Sequence, residues 1–174
     1  MITGVLMITE LLAAATLTNG LLAGLFFAFV CAISPAYRRL DDGEFVRGFR
    51  AINSVILRPT FLVVFVGAPL TAVAAAVTGT LRIGVEPGEL GIASDPAGMA
   101  LLWIGAAASV VSFLITATVS VPLNQGLDRA PILTPADHTA ARVTFETRWN
   151  RANLARTLTS TLSVLALASA LALG

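Results

Sequence analysis

His138, Arg142, Glu146, Trp149, Asn153, Arg156 and Ser160 recur every three or four residues, and at 100° per residue they fall within about 60° of one helix line. Histidine and glutamate are the types that move protons near neutral pH. Amide and guanidinium groups hold an oxyanion as it develops, and an indole offers a face for a flat ring. These are residue types of acid–base, anion-binding and ring-stacking chemistry. His138, the single histidine, lies roughly 27 Å from Arg156 by the helix rise, so one small ligand cannot use both ends. Leu158 to Gly174 carry no charge, so the line begins in water and brings Asn153 and Arg156 to the edge of hydrocarbon, where a charge is costly and points to function.

The elements that position this line belong to a membrane protein. Of 174 residues, 56% are hydrophobic and 12% are charged, a balance that a soluble domain rarely shows. The runs Leu11–Ile33, Thr60–Thr78, Met99–Leu123 and Leu154–Leu173 each approach the roughly 20 residues that cross a ~30 Å hydrocarbon core. The expected fold is all-α: one domain over residues 1–174, an integral membrane four-helix bundle with a cytoplasmic interfacial helix between spans 1 and 2 and an extended fourth helix.

All eleven basic residues are arginines. Arg38, Arg39, Arg47, Arg50 and Arg58 separate spans 1 and 2, and Arg129, Arg142, Arg148 and Arg151 separate spans 3 and 4. The loop between spans 2 and 3 has only Arg82, opposed by Glu86, Glu89 and Asp95. The positive-inside bias makes the two arginine-rich loops cytoplasmic and puts both termini outside the plasma (inner) membrane. The net charge of +1 gives no reason to expect nucleic acid. Met1–Thr9 lacks the basic start of a signal peptide, and the apolar stretch after it is too long, so the first helix is expected to stay. Cys31 stands alone, which excludes a dithiol relay; it reads as a small core residue. No histidine or cysteine pair at ligand spacing marks a metal site, and no glycine-rich turn marks a nucleotide site, so neither metal nor cofactor is expected.

After Asp41-Asp42-Gly43-Glu44, Phe45, Phe49, Ile52 and Ile56 keep helical spacing with Arg47, Arg50 and Ser54 opposite and Asn53 on the apolar side, which predicts an amphipathic helix on the cytoplasmic surface. Pro59 suits the first turn of the second span, and Pro69 is expected to kink that span by freeing the carbonyl of Phe65. Gly79 to Gly98, with five glycines and two prolines, reads as an irregular outer loop. Thr134-Pro135-Ala136-Asp137 is a capping-box start. A helix from there to Leu173 would run about 58 Å, projecting its first half into the cytoplasm.

On the first helix, Thr9, Ala13, Thr16, Asn19, Gly20, Ala23 and Phe27 share one sector, and its small and polar residues suit it to face the bundle. Gly20 and Gly24 form a GxxxG match, read as packing within the chain ahead of a homo-oligomer seam. Glu10, near the outer end, reads as a solvated interfacial carboxylate.

Three short patterns then carry a resemblance. Arg50-x-x-Asn53 before Pro59, Val121-Pro122-Leu123-Asn124 at the end of the third span, and Trp149-x-x-x-Asn153-x-x-Arg156 entering the fourth resemble the anthrone-oxygenase-like family of small four-helix membrane proteins. The glycine- and phenylalanine-rich stretch Gly20 to Phe29 is similar too, so the likeness runs from about Asn19 to Arg156. It implies an oxidoreductase or oxygenase of polyketide pathways that oxidises an anthrone to an anthraquinone without an established cofactor.

An anthrone has an acidic C–H beside a carbonyl, and its enolate reacts with dioxygen directly. On that reading Asn124, Asn153 and Arg156 are the catalytic candidates, with Arg156 at the oxyanion; Trp149, Asn53, Asn19 and Glu146 are substrate-binding candidates, with Trp149 stacking on the ring plane. The base is left between His138 and Glu146. The expected partner is an apolar small molecule or lipid at the cytoplasmic boundary of the bilayer. Each residue also has a plain role open to it: Arg142 and Glu146 as a surface pair, Trp149 as an interfacial anchor, Arg156 snorkelling to headgroups, and the asparagines as interhelical glue. Those roles together describe the rival, a non-enzymatic membrane protein that carries a lipid or drug or serves as an assembly subunit.

Overall fold

A computed structural model describes residues 3–56, 58–81 and 95–173, with side chains from residue 7 onward. Among these residues the regular structure is all helix: α1 (Thr3–Ala28), a π-helical turn (Phe29–Ile33), α2 (Ser34–Tyr37), α3 (Asp42–Ile56), α4 (Pro59–Leu81), α5 (Pro96–Ile115), a second π-helical turn (Thr116–Ser120), α6 (Val121–Arg129) and α7 (Pro135–Leu173). Four continuous stretches, Met7–Tyr37, Pro59–Leu81, Pro96–Arg129 and Pro135–Leu173, are long and apolar enough to cross a membrane. The expected all-α, multi-pass bundle is found. Its helices form a ring in which α1 and α5 each pack between α4 and α7.

Sequence-encoded caps start the helices. The Asp41 carboxylate accepts from the Glu44 N–H at 2.7 Å, and Glu44 returns the bond to the Asp41 N–H at 3.3 Å. At α7, the Asp137 N–H donates to Thr134 Oγ1 at 3.2 Å and the Thr134 N–H to the Asp137 carboxylate at 2.9 Å. Each satisfies donors that a helix start leaves open. Asp95 caps α5 by accepting from Ala97 and Gly98 at 3.2 and 3.0 Å. Helix therefore enters both ends of the stretch expected to be irregular, reaching Leu81 and resuming at Pro96; the rest of that loop, with Arg82, Glu86 and Glu89, lies outside the described residues. The second span runs through Pro69 as one helix.

The π-helical turns have a common origin. The Ser34 N–H donates to the Phe29 carbonyl and the Val121 N–H to the Thr116 carbonyl, each five residues back. Pro35 and Pro122 follow directly. A proline has no N–H, and its ring presses on the carbonyl four residues before it; one widened turn relieves that clash without ending the helix.

The inward line of α1 differs from the expected one. Ile8, Leu12, Ala15, Asn19, Leu22, Phe26 and Phe29 are buried, whereas Thr9, Ala13 and Gly24 are exposed; Phe26 is 3% exposed and Phe27 58%. Small and polar residues were favoured for the bundle side, but lipid is as apolar as leucine or phenylalanine, so hydropathy cannot tell the two faces apart. Gly20 and Gly24 have open space where a Cβ would stand, so the GxxxG match does not pack within the chain. The close approach belongs to Gly105, where a Cβ would come within 2.6 Å of Leu167 and whose carbonyl accepts from Ser163 at 2.8 Å.

Packing changes along the bundle. One half has an alanine-rich core of Ala15, Ala72, Ala75, Ala76, Ala106 and Ala170 with Leu12, Leu102 and Leu167. At the arginine-rich end, Phe29, Phe45, Phe49, Phe145 and Trp149 pack together, and Phe49 lies 4.8 to 6.4 Å from each of the other four rings. Such ring pairs contribute roughly 0.5–1.5 kcal/mol each beyond burial. They seat the amphipathic helix α3 on α7.

Candidate functional site

The polar line on α7 divides into two. Towards its start, Arg142 Nε donates to Glu146 at 2.8 Å, and Nη1 reaches the Asp42 carboxylate at 3.0 Å and the Leu40 carbonyl at 2.9 Å. The Arg142 guanidinium also lies 4.5 Å over the Phe45 ring. Thr139 Oγ1 donates to Asp42 at 2.6 Å, a bond that, with Arg142, holds the Asp42 carboxyl below its ordinary range. This half clamps α3 to α7. Glu146 is committed to Arg142 and, at 3.8 Å, to Arg38. His138 sits against Gly43, on the far side of that clamp.

The second half gathers at a cavity. Asn53, Asn124, Trp149, Asn153 and Arg156 line it together with Leu25, Phe26, Phe29, Phe49, Ile52, Ile56 and Phe61. Five of the seven site candidates therefore meet in one place. Asn19 and Glu146 do not: Asn19 bonds to the Ala15 carbonyl at 2.9 Å and approaches Ala68 of α4 at 3.5 Å, an interhelical tie within the bundle.

Arg156 is 5% exposed. Its guanidinium lies 4.4 Å from the Phe26 ring and 5.4 Å from the Trp149 ring, and Nη2 donates to Asn153 Oδ1 at 3.1 Å. Among the described residues no carboxylate pairs with it, and its Nε has no acceptor. Desolvating a cation costs several kcal/mol, while cation–π contacts return about 2 kcal/mol or more when desolvated and a charged hydrogen bond about 1.5–3. The balance leaves a buried cation whose environment would favour an incoming anion.

Neighbouring amides are held in place. Asn153 Nδ2 donates to the Phe26 carbonyl at 2.9 Å, fixing α7 to α1. The Trp149 indole N–H donates to Asn124 Oδ1 at 2.9 Å, fixing α7 to α6. Asn53 turns Nδ2 towards Asp128 Oδ1 at 3.4 Å. Arg50, expected on the exposed side of α3, instead reaches inward and donates to the carbonyls of Leu127 and Ala130 at 2.6 to 3.1 Å. It satisfies the last turn of α6, so α3 and α6 keep one register.

The cavity is small, with a volume of about 30 Å³, room for water and not for a ring. Two larger open grooves flank α7. One, of about 540 Å³, lies beside α6 between Leu123, Leu127, Phe145 and Arg148. The other, of about 560 Å³, lies beside α2 and includes Ser34, Arg38, Glu146, Asn150 and Asn153. Asn153, 1% exposed, borders both that groove and the cavity. Among the described residues, no group of three or more His, Cys, Asp or Glu side chains is placed to hold a metal ion.

Sequence reasoning missed Phe26, because it chose the adjacent face of α1, and Asp128, because an exposed acid beside Arg129 looks like surface. The spacing Arg50-x-x-Asn53 was a usable signal for the α3–α6 junction. A family model described as Anthrone oxygenase matches residues 59–166. No curated protein and no solved structure matches the chain.

Proposed function

The chain belongs to the anthrone oxygenase family, and on that premise we propose that it oxidises a flat, electron-rich aromatic ketone with dioxygen at the cavity around Arg156. The observation that carries this reading is the buried guanidinium with an unused Nε. A ketone becomes an enolate by losing a proton, and the enolate oxygen bears the charge that Arg156 lacks a partner for. Stabilising that oxygen lowers the cost of enolisation; one such donor typically contributes 10²–10³ in rate. Trp149, Phe26 and Phe29 supply ring surfaces, and the Asn124 amide supplies a second donor.

Among the described residues that line the cavity there is no carboxylate or imidazole, so these residues favour the anion and the proton leaves to water. The enolate carbon then adds dioxygen to give a peroxide, which takes up a proton. Loss of water, using the second hydrogen of the same carbon, leaves a carbonyl. One dioxygen is consumed: one of its atoms enters the quinone, the other leaves as water, and the four electrons come from the methylene carbon.

A ring ligand needs several hundred Å³, far more than this small cavity. Ile52, Ile56 and Phe61, from the end of α3 and the start of α4, are partly buried walls of that cavity. Their separation is the movement by which an apolar substrate dissolved in the bilayer gains access. The arginine-rich end would then be the cytoplasmic face of the plasma membrane.

The rival reading, a lipid- or drug-binding carrier or an assembly subunit, draws support from the same small volume and from the bonds among Asn153, Arg156, Asn124 and Trp149. One experiment separates the two. Purified protein in nanodiscs is given anthrone and ¹⁸O-labelled dioxygen. Catalysed uptake with one labelled atom per quinone supports the oxygenase, and uptake no faster than in empty nanodiscs supports the rival.

A further inference from the structure

The open groove beside α2 carries more positive charge than its own residues neutralise. Arg38 and Arg151 line it together with one acid, Glu146. That acid already accepts from Arg142 at 2.8 Å, and Arg38, its side chain 63% exposed, stands 3.8 Å away. Arg151 is exposed and enters no ion pair among the described residues. Between the two arginines, the Ser34 hydroxyl donates to Asn150 Oδ1 at 2.7 Å. With its oxygen engaged, the Asn150 amide keeps Nδ2 as a donor. The groove therefore offers two guanidinium forks and an amide N–H to an anion.

The level of the groove says which kind of anion. No charge lies between Glu10 and Arg38 in the sequence, and Arg151 is the last exposed charge on α7. Two adjacent helices thus pass from hydrocarbon to water at this one place. Val30, Pro35 and Leu154 are the apolar walls. From Leu154 a line of exposed leucines, Leu158, Leu162 and Leu165, runs along α7 into the span. A polar floor with excess positive charge opens onto an apolar track.

We propose that this groove binds an anionic phospholipid, with the phosphate on Arg38, Arg151 and Asn150 Nδ2 and an acyl chain along the leucine line. Planar guanidinium groups match phosphate oxygens in pairs, and basic pockets between spans are suited to acidic headgroups. A choline lipid has the same chains but brings its own cation beside the arginines. A free phosphate ion gains nothing from the leucines. The site lies on the α2 side of α7, apart from the cavity around Arg156, and it stands whether or not that cavity oxidises anything.

Native mass spectrometry of the full chain in detergent, titrated with phosphatidylglycerol or phosphatidylcholine of identical acyl chains, tests the proposal. The expected result is a preference of about tenfold for phosphatidylglycerol, the worth of one hydrogen bond to a charged group. Arg151→Gln should erase it. Arg148→Gln removes an equally exposed charge that borders the other groove, and it should keep the preference. Phosphatidylglycerol should also raise the melting temperature of the native chain and of Arg148→Gln but not of Arg151→Gln, whose lipid-free melt should match the native one. Equal affinity for the two lipids, a preference that survives in Arg151→Gln, or the same loss in Arg148→Gln as in Arg151→Gln overturns the proposal. Displacement of phosphatidylglycerol by inorganic phosphate alone would overturn it too, because the groove would then be an ion site and not a lipid site.

Discussion

The guanidinium of Arg156 lies 4.4 Å over the ring of Phe26, so the one buried arginine among the described residues is held against α1 by an aromatic face and not by an acid. Because a desolvated cation–π contact is worth ~2 kcal/mol, Phe26→Leu should lower stability by about that amount on top of a small packing loss. Phe27→Leu, on the outward face, should change it little. Thermal melts of the two variants check this, and equal losses would mean that the register of α1 is misread.

Trp149 makes a second junction through its bond to Asn124. Trp149→Phe keeps a ring but leaves the Asn124 oxygen without its donor, at a cost of roughly 1–3 kcal/mol. The expected outcome is a lower melting temperature together with weaker quinone binding, since the freed amide can rotate. Unchanged binding would show that Asn124 does not face the ligand.

The clamp between α3 and α7 should respond to acid. Thr139, aided by Arg142, lowers the Asp42 carboxyl below its ordinary range, so its contribution is present above the unfolded value of ~3.9. It is lost as pH falls through the lower folded value, because the unfolded chain then binds the proton more readily. Hydrogen exchange in α3 should rise below that range in the native chain, and Asp42→Asn should raise exchange at neutral pH and flatten the profile.

Much of this was legible in the sequence for definable reasons. Thr134 and Asp137 announced the start of α7 because a capping box is local chemistry, and Trp149, Asn153 and Arg156 shared a face because helix periodicity is fixed. Asn124 could be placed near them because it follows directly on the apolar run of the third span, and Asn53 because it lies on the apolar side of α3. The inward face of α1 was not legible: Phe26 and Phe27 are the same residue type, and a bilayer does not sort them by hydropathy. Nor was the inward reach of Arg50, whose length lets a residue beside the apolar face of α3 cap α6. The small volume of the cavity depends on how Ile52, Ile56 and Phe61 pack, which no residue pattern encodes.

The central claim is that Arg156 holds an oxyanion, and dioxygen uptake with anthrone by Arg156→Leu tests it most directly when read beside melting temperature and beside His138→Ala. Replacing an unpaired buried charge with an apolar side chain is often neutral or stabilising, so Arg156→Leu should melt no lower than the native chain while turnover falls about 10²–10³-fold. His138→Ala, beyond the Arg142 clamp, should turn over normally. Undiminished uptake by Arg156→Leu, or its loss in His138→Ala alone, would contradict the account and move the chemistry away from the cavity.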